Sequence, residues 1–441
     1  MKSIKHINSM SNPINKGILY LSVPIVIGNI AQTLYGLVDV YWIGQLGTSE
    51  LAAITLVNPV IQMLINTGMG MTTAASIIVS HKIGTNDDDK IKIILNHIFI
   101  VMTIGGGVLF FIIGYMSDSL LTFLSGNAEI ITDASLYFRL ILIGLEFYFI
   151  TNIYAALQNS LGNTKIAFYA NVIGLIIILI LAPLLIIYFK LGILGAGIAG
   201  LLSRVIPSLI FSPKLFNYQS PYFISLKLKK INLQIIKSIM KVALPLSFGG
   251  AAIQIGFMIM GKNVINFGNQ ALAAYGIGNK ISSLITIPVN SVGNAITIIV
   301  GQNFGAKQFN RIIISYRKVR NYSTFYLFIL GLIFAFDPIT TLVAGVFVKD
   351  SETLILTISY VKILVIYSFT NGIYTSTIAL FNGLGKPRVS VIVDIMRIWL
   401  FRLIALRLYS SYFGKTIEVI WYSVVFSNAL GALCMYYIGC F

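Results

Sequence analysis

Twelve stretches of this 441-residue chain are each long and apolar enough to cross a lipid bilayer, and that succession limits the fold more than any other feature. A spanning helix needs about 20 apolar residues. The stretches run over about 18–46, 51–83, 93–117, 134–158, 166–189, 193–212, 238–266, 271–304, 321–345, 354–382, 389–410 and 419–440. Inside hydrocarbon every backbone N–H and C=O needs a partner within the protein, so such stretches become helices. The expected fold class is an all-α integral membrane protein with twelve transmembrane helices. Composition agrees, because 57% of residues are hydrophobic and only 10% are charged, against about 25% charged in soluble domains.

The net charge of +17 would suggest a nucleic-acid partner in a soluble chain. Here the basic residues cluster in short connections on one side, which is a topology signal. The longest connection, Pro213 to Lys237, carries Lys214, Lys227, Lys229 and Lys230. Placing it in the cytoplasm puts Lys82, Lys90, Lys165, Lys307, Arg311, Lys386 and Arg388 on the same side. The opposite side holds Lys190, Lys349 and Lys415 among Glu50, Asp118, Glu129, Asp133, Asp350, Glu352 and Glu418. Both termini are therefore expected in the cytoplasm of a multi-pass cell-membrane protein, with no cleaved signal peptide ahead of the first span. Cys434 and Cys440 share the last apolar segment and frame neither a disulfide scaffold nor a metal site. The glycine runs at 68–71 and 105–107 lack the lysine spacing and preceding strand of a phosphate loop. They read as sites of close helix packing, and no enzymatic motif stands out.

The two halves repeat. A shift of 221 positions places Pro24 on Pro245, Gly47 on Gly268, Leu51-Ala52-Ala53 on Leu272-Ala273-Ala274, Gly84 on Gly305 and Lys90 on Arg311. A shift of 223 places Tyr137 on Tyr360 and Leu161-Gly162 on Leu384-Gly385. Six spans separate equivalent points, so the two units share one membrane orientation, the parallel kind of repeat. The expected organisation is an N-terminal lobe over 1–212, a cytoplasmic linker over 213–237 and a C-terminal lobe over 238–441. Pro24 and Pro245, in the first and seventh spans, each free a backbone carbonyl and permit bending. They are the candidate hinges.

Asp39 breaks the repeat, since its counterpart is Met260. It lies inside the first span, where an ionised side chain is expensive and by default functional. At helical spacing, Asn29, Gln32, Tyr35 and Asp39 share one face, a polar stripe that points into the bundle. The plainer reading is a carboxylate that only hydrogen-bonds a neighbouring helix. Glu146 lies near the middle of the fourth span, six residues before Asn152, and is a second candidate acid. Asp394 and Arg397, three apart in the eleventh span, are spaced for a local ion pair. Arg402 and Lys280 sit deeper and can meet an anionic group or pair internally.

The segments LSVPIVIGNIAQTLYGLVDVYWIGQLG, ELAAI, ALAAYGIGNKISSLITIPVNSVGNAITIIVGQNFGAK, LQNSLGNTK, LFNGLGKPR and MRIWLFR resemble the multidrug and toxic compound extrusion (MATE) transporters over nearly the whole chain. The lone carboxylate in the first span makes the DNA-damage-inducible branch the more similar one. The resemblance implies two six-helix lobes, with a polar network in the first that binds a proton or Na⁺ and couples it to drug release. Tyr35, Asp39 and Asn152 match that network, with Gln32 beside them. Ile178, Ala182 and Gly200 stand where the branch carries Asn, Asp and Thr, so the second carboxylate is missing. The implied activity is ion-driven export of amphipathic or cationic organic compounds by alternating access, with flipping of lipid-linked saccharides as the alternative in the same superfamily. The implied coupling ion is H⁺ rather than Na⁺, with no other cofactor. The expected partners are small organic substrates and membrane lipids, with no nucleic acid, and the chain is expected to act as a monomer.

Overall fold

The computed structural model describes residues 13–125, 128–217, 223–224, 232–348, 350–414 and 416–440. All regular elements among them are helical. The first half holds α1 (Ile14–Gly44), α2 (Thr48–Gly84), α3 (Asp88–Tyr115), the short α4 (Ser117–Ser125), α5 (Ala128–Ser160), α6 (Lys165–Pro183) and α7 (Gly192–Phe211). The second holds α8 (Leu233–Val264), α9 (Asn269–Gly305), α10 (Phe309–Ala335), the short α11 (Asp337–Phe347), α12 (Ser351–Ile366), α13 (Phe369–Gly383), α14 (Pro387–Ile395), α15 (Arg402–Phe413) and α16 (Ile417–Cys440). These make twelve spans when α12 and α13 count as one bent span and α14 and α15 as another.

Three expected spans are interrupted. The expected helix over 321–345 instead belongs to α10, which starts at Phe309, and α11 leaves it at 89°. Phe336 is extended there (φ −80°, ψ 115°), and Pro338 is the second residue of the new helix, in the first turn, where a missing N–H leaves no helical bond unmade. Between α12 and α13 the chain bends by 56°, and Ser368 donates its hydroxyl to the carbonyl of Val365 at 2.6 Å, a back-bond that competes with the helical ladder. The eleventh span is widened by a π segment, Met396–Phe401, between α14 and α15. A shorter π segment, Leu184–Tyr188, extends α6 after Pro183.

Backbone geometry repeats with the sequence. Gly162 (φ 85°) and Gly385 (φ 73°) are repeat mates in left-handed conformation, where a side chain would be strained. Each ends its helix the same way: Asn163 N bonds to Gln158 O at 2.8 Å, and Lys386 N to Phe381 O at 2.9 Å, the long bond of a Schellman cap. Asn86 (φ 53°) and Lys307 (φ 59°), 221 apart, share a second left-handed turn. At the start of α3, Asp87 accepts from Lys90 N at 3.3 Å and pairs with Lys90 Nζ at 2.7 Å. Its hydrogen bonds with Lys90 hold its carboxyl below the usual range. Asp350 caps α12 by accepting from Thr353 N at 2.9 Å and Thr353 Oγ1 at 2.7 Å, which lowers it likewise.

Cα proximity divides the chain into two compact units, residues 1–250 with 301–307, and residues 251–300 with 308–441. The division cuts across α8 and α9 rather than falling in the 213–237 linker. The first half of α8 joins unit 1 because glycine lets it close on α2: a Cβ on Gly70 would lie 2.7 Å from Ser247 Cα, and Ser247 Oγ donates to Thr67 O at 2.7 Å. The end of α9 joins it in the same way. A Cβ on Gly84 would collide with the carbonyl of Gln302, and one on Gly305 with the carbonyl of His81. The glycine run at 68–71 thus packs helices, as expected.

In unit 1, α5 is flanked by α2, α3 and α7, while α1 lies on α6. Phe138, Ile141, Leu145, Ile178 and Ala182 are buried in one apolar core. In unit 2, α13 packs on α10 and α16, and Tyr275, Tyr360 and Trp421 form a buried aromatic group, with Tyr360 and Trp421 centroids 4.1 Å apart.

Candidate functional site

The polar stripe of α1 opens onto a chamber of about 190 Å³ within unit 1, lined from α1, α2, α5, α6 and α7. Gln32, Tyr35 and Asp39 all face it, as the helical spacing requires, and so does Asn152 of α5. Asn29 is not among its lining residues.

Each of these side chains is held by a hydrogen bond. Tyr137 of α5 donates to Asp39 Oδ2 at 3.2 Å, and Tyr35 Oη lies 2.9 Å from Ser203 Oγ of α7. Gln32 Nε2 donates to Tyr148 Oη at 3.0 Å. Asn152 Nδ2 bonds to the carbonyl of Tyr148, one turn back, at 2.8 Å. Asn171 of α6 donates to Gly28 O of α1 at 3.2 Å, one turn beyond Pro24. That bond is possible because α1 approaches closely there: a Cβ on Gly28 would lie 3.3 Å from Phe168 Cα. Both Pro24 and Pro245 lie inside unbroken helices, α1 and α8.

Arg204 of α7 is a site residue that the sequence reading misses, yet it lines the chamber with Asp39. It is the sole charged residue of the 193–212 stretch, the same signal that singles out Asp39, so it was open to detection. Its Nη1 donates to Gly200 O at 2.7 Å, and its guanidinium lies over the Tyr35 ring, 5.1 Å from the centroid. A Cβ on Gly200 would lie 3.4 Å from that Nη1 and 2.7 Å from Ile141 Cδ1. The glycine that replaces the resemblance's Thr thereby makes room for the arginine to fold back along its own helix.

Glu146 is not brought to the chamber. Six residues is about 240° of helix from Asn152, so Glu146 points instead toward α3, where a Cβ on Gly106 would lie 3.1 Å from its Oε2. Both its oxygens are enclosed, with no hydrogen-bond partner among the described residues. Ile178 and Ala182 are 0% and 2% exposed in the apolar core. Neither they nor Gly200 lines the chamber.

A second polar cavity, about 460 Å³, lies within unit 2 and is lined by Asp394, Arg397 and Tyr374 among others. The expected local ion pair is there: Arg397 Nη2 meets Asp394 Oδ1 at 3.0 Å, and Tyr374 donates to the same oxygen. Arg402, 2% exposed, donates to Ser427 Oγ and Asn428 Oδ1, both at 3.1 Å.

The family model described as MatE matches residues 24–184 and again 245–406. The two matches begin on Pro24 and Pro245, the pair that the internal repeat superposes. Among curated proteins, the chain is 23% identical over 435 residues to the multidrug export protein MepA of Staphylococcus aureus (strain MSSA476), covering 96% of this chain and 92% of that one. It is also 23% identical over 342 residues to the probable multidrug resistance protein YoeA of Bacillus subtilis, covering 75% and 73%. Among solved structures, a MOP superfamily transporter from Pyrococcus furiosus superposes with a TM-score of 0.93 at 24% identity, covering 100% of this chain and 98% of that one. The Vibrio cholerae MATE transporter VcmN, solved as a point mutant, gives 0.91 at 21% identity, covering 98% and 97%.

Proposed function

Because this chain belongs to the MatE family, whose members are transporters and not enzymes, we propose that it is a proton-coupled exporter of amphipathic organic compounds that carry a positive group. The observation that carries this reading is Asp39, the single carboxylate among the residues that line the chamber. Na⁺ wants several oxygens arranged together, and Ile178 and Ala182 turn those positions into hydrocarbon. A proton needs one carboxylate. Protonation of Asp39 removes the charge that pairs with the cationic end of a substrate, and deprotonation restores it. Gln32, Tyr35 and Asn152 shape that site, and Pro24 and Pro245 are the flex points of an alternating-access cycle between six-span lobes over 1–212 and 238–441. Glu146, turned away, has no part in it. The multidrug names of the relatives support export over the flipping of lipid-linked saccharides.

The test is transport by the purified chain in vesicles loaded with a fluorescent amphipathic cation. An imposed pH gradient is expected to drive its movement, whereas a Na⁺ gradient of the same size leaves it unmoved. Movement driven by Na⁺ alone would overturn the coupling assignment.

The orientation is part of the same reading. Charge places the 213–237 linker and both termini in the cytoplasm of the cell membrane, with the chain acting as a monomer among its lipids. The linker's central residues, Ser225 included, lie outside the described residues. Thr85, exposed in the turn between α2 and α3, belongs to the same side. Thr85→Cys is expected to react with a membrane-impermeant maleimide only after cells are opened, and labelling of intact cells would reverse the topology.

A further inference from the structure

The chamber of unit 1 is lined by one acidic and one basic side chain. Asp39 and Arg204 both line it, yet no ion pair joins them among the described residues; every pair within 4.0 Å lies elsewhere. They are held apart by their own partners. Asp39 takes the Tyr137 hydroxyl. Arg204 is fixed by the Gly200 carbonyl and by the face of Tyr35, and Tyr35 is in turn tied to Ser203. Two opposite charges in one chamber, each anchored by neutral groups, leave both available to something that enters.

In a partly desolvated site the charge balance decides what fits. A purely cationic ligand satisfies Asp39 and places a second positive charge near Arg204; a purely anionic one does the reverse. Either leaves an uncompensated charge away from water, which is costly. A ligand bearing both signs pairs both groups and enters with no net charge. Arginine suits the anionic end because its planar fork matches a carboxylate or phosphate. At about 190 Å³ the chamber is smaller than the roughly 300 Å³ at which drug-sized pockets begin, so it takes a polar head group while the apolar body stays outside.

We propose that the chamber selects zwitterionic head groups, with the ammonium on Asp39 and the acidic group on Arg204, and that Arg204 sets this preference. This rests on the proton-coupled reading above, because protonating Asp39 withdraws the ammonium's partner while Arg204 keeps its charge, so the neutral ligand is released for one proton taken up.

The experiment compares three probes with the same fluorophore in nanodiscs and without any gradient: Nε-dansyl-lysine, which is zwitterionic; dansyl-cadaverine, the same chain without the carboxylate; and Nα-acetyl-Nε-dansyl-lysine, which is anionic. The wild-type chain is expected to bind the zwitterion on the order of tenfold more tightly than either relative, about 1.4 kcal/mol. Arg204→Gln is expected to place dansyl-cadaverine first, and Arg204→Lys, which keeps the charge, to restore the zwitterion's rank. The proposal is overturned if the wild type binds no zwitterion, if it ranks the cation equal or higher, or if Arg204→Gln leaves the order unchanged. The wild-type ranking stands as a test even where a variant does not fold. Binding without a gradient also separates this outcome from proton coupling, since failure of selection leaves pH-driven transport intact and failure of pH-driven transport leaves the ranking readable.

Discussion

Asp39→Asn vesicles are expected to move substrate under an imposed pH gradient no faster than vesicles without protein, while the purified variant elutes as a folded monodisperse species. The substitution keeps the shape of the side chain and leaves an oxygen for the Tyr137 hydroxyl that now donates to Oδ2 at 3.2 Å. What it removes is the ability to gain and lose a proton. A buried polar contact survives as a neutral amide, whereas a site that must alternate between charged and neutral does not. The structure also sharpens the opposite result. If the Asp39→Asn protein transported at the wild-type rate, Glu146 would be a poor successor, because its carboxyl faces Gly106 of α3 and not the chamber.

The second large effect is expected in unit 2 and concerns stability. Gly372→Val places a side chain against the backbone of α10, since a Cβ on Gly372 already lies 2.6 Å from Thr324 Cα and 2.8 Å from Ser323 C. Backbone atoms cannot rotate aside as a side chain can. The helices must separate, and overpacking of this kind costs about 1–3 kcal/mol, more where the backbone has to move. A fall in melting temperature in detergent of about 1–3 °C follows from that cost for a chain of this length, and more where the backbone has to move. The contrast is Gly107, which has open space around it, so Gly107→Val should leave the melting temperature nearly unchanged. Equal melting behaviour for the two variants would mean that α13 does not rest on α10 through this glycine.

The parts of this architecture that depend on local pattern were legible in the chain. Membrane-length apolar stretches fix the helices, and the repeat at 221–223 recurs in the backbone itself, as the paired left-handed turns at Gly162 and Gly385 and at Asn86 and Lys307 demonstrate. The stripe Gln32, Tyr35, Asp39 was legible because residues at i, i+3 and i+7, two helical turns, share one face. Tyr137 is visible in the sequence only as a repeat mate, because its hydroxyl meets Asp39 across 98 residues of sequence and that register is set by how α5 packs on its neighbours. Glu146 is misplaced for a simpler reason. Its depth in the bilayer is readable from the sequence, and so is its angle of about 240° from Asn152, which turns it away from the chamber that Asn152 lines. The breaks after Ala335 and at Tyr367 are hidden because apolar composition continues across them, and hydropathy carries no information about direction. Arg204 was readable by the rule that picks out Asp39, one charge in an apolar span.

The end contact of α2 and α9 has a consequence of its own. Gly84 faces the carbonyl of residue 302 and Gly305 faces the carbonyl of residue 81, and a shift of 221 positions carries residues 84 and 81 onto 305 and 302, so one contact maps onto the other. The contact is therefore reciprocal in the manner of an isologous interface, in which residue i of one copy meets residue j of the other and j meets i. The two repeat mates meet one another directly, since a Cβ on Gly84 would lie 2.9 Å from Gly305 Cα and one on Gly305 would lie 3.0 Å from Gly84 Cα. A side chain at either position would strike the backbone of the other, so this contact depends on glycine at both repeat mates at once.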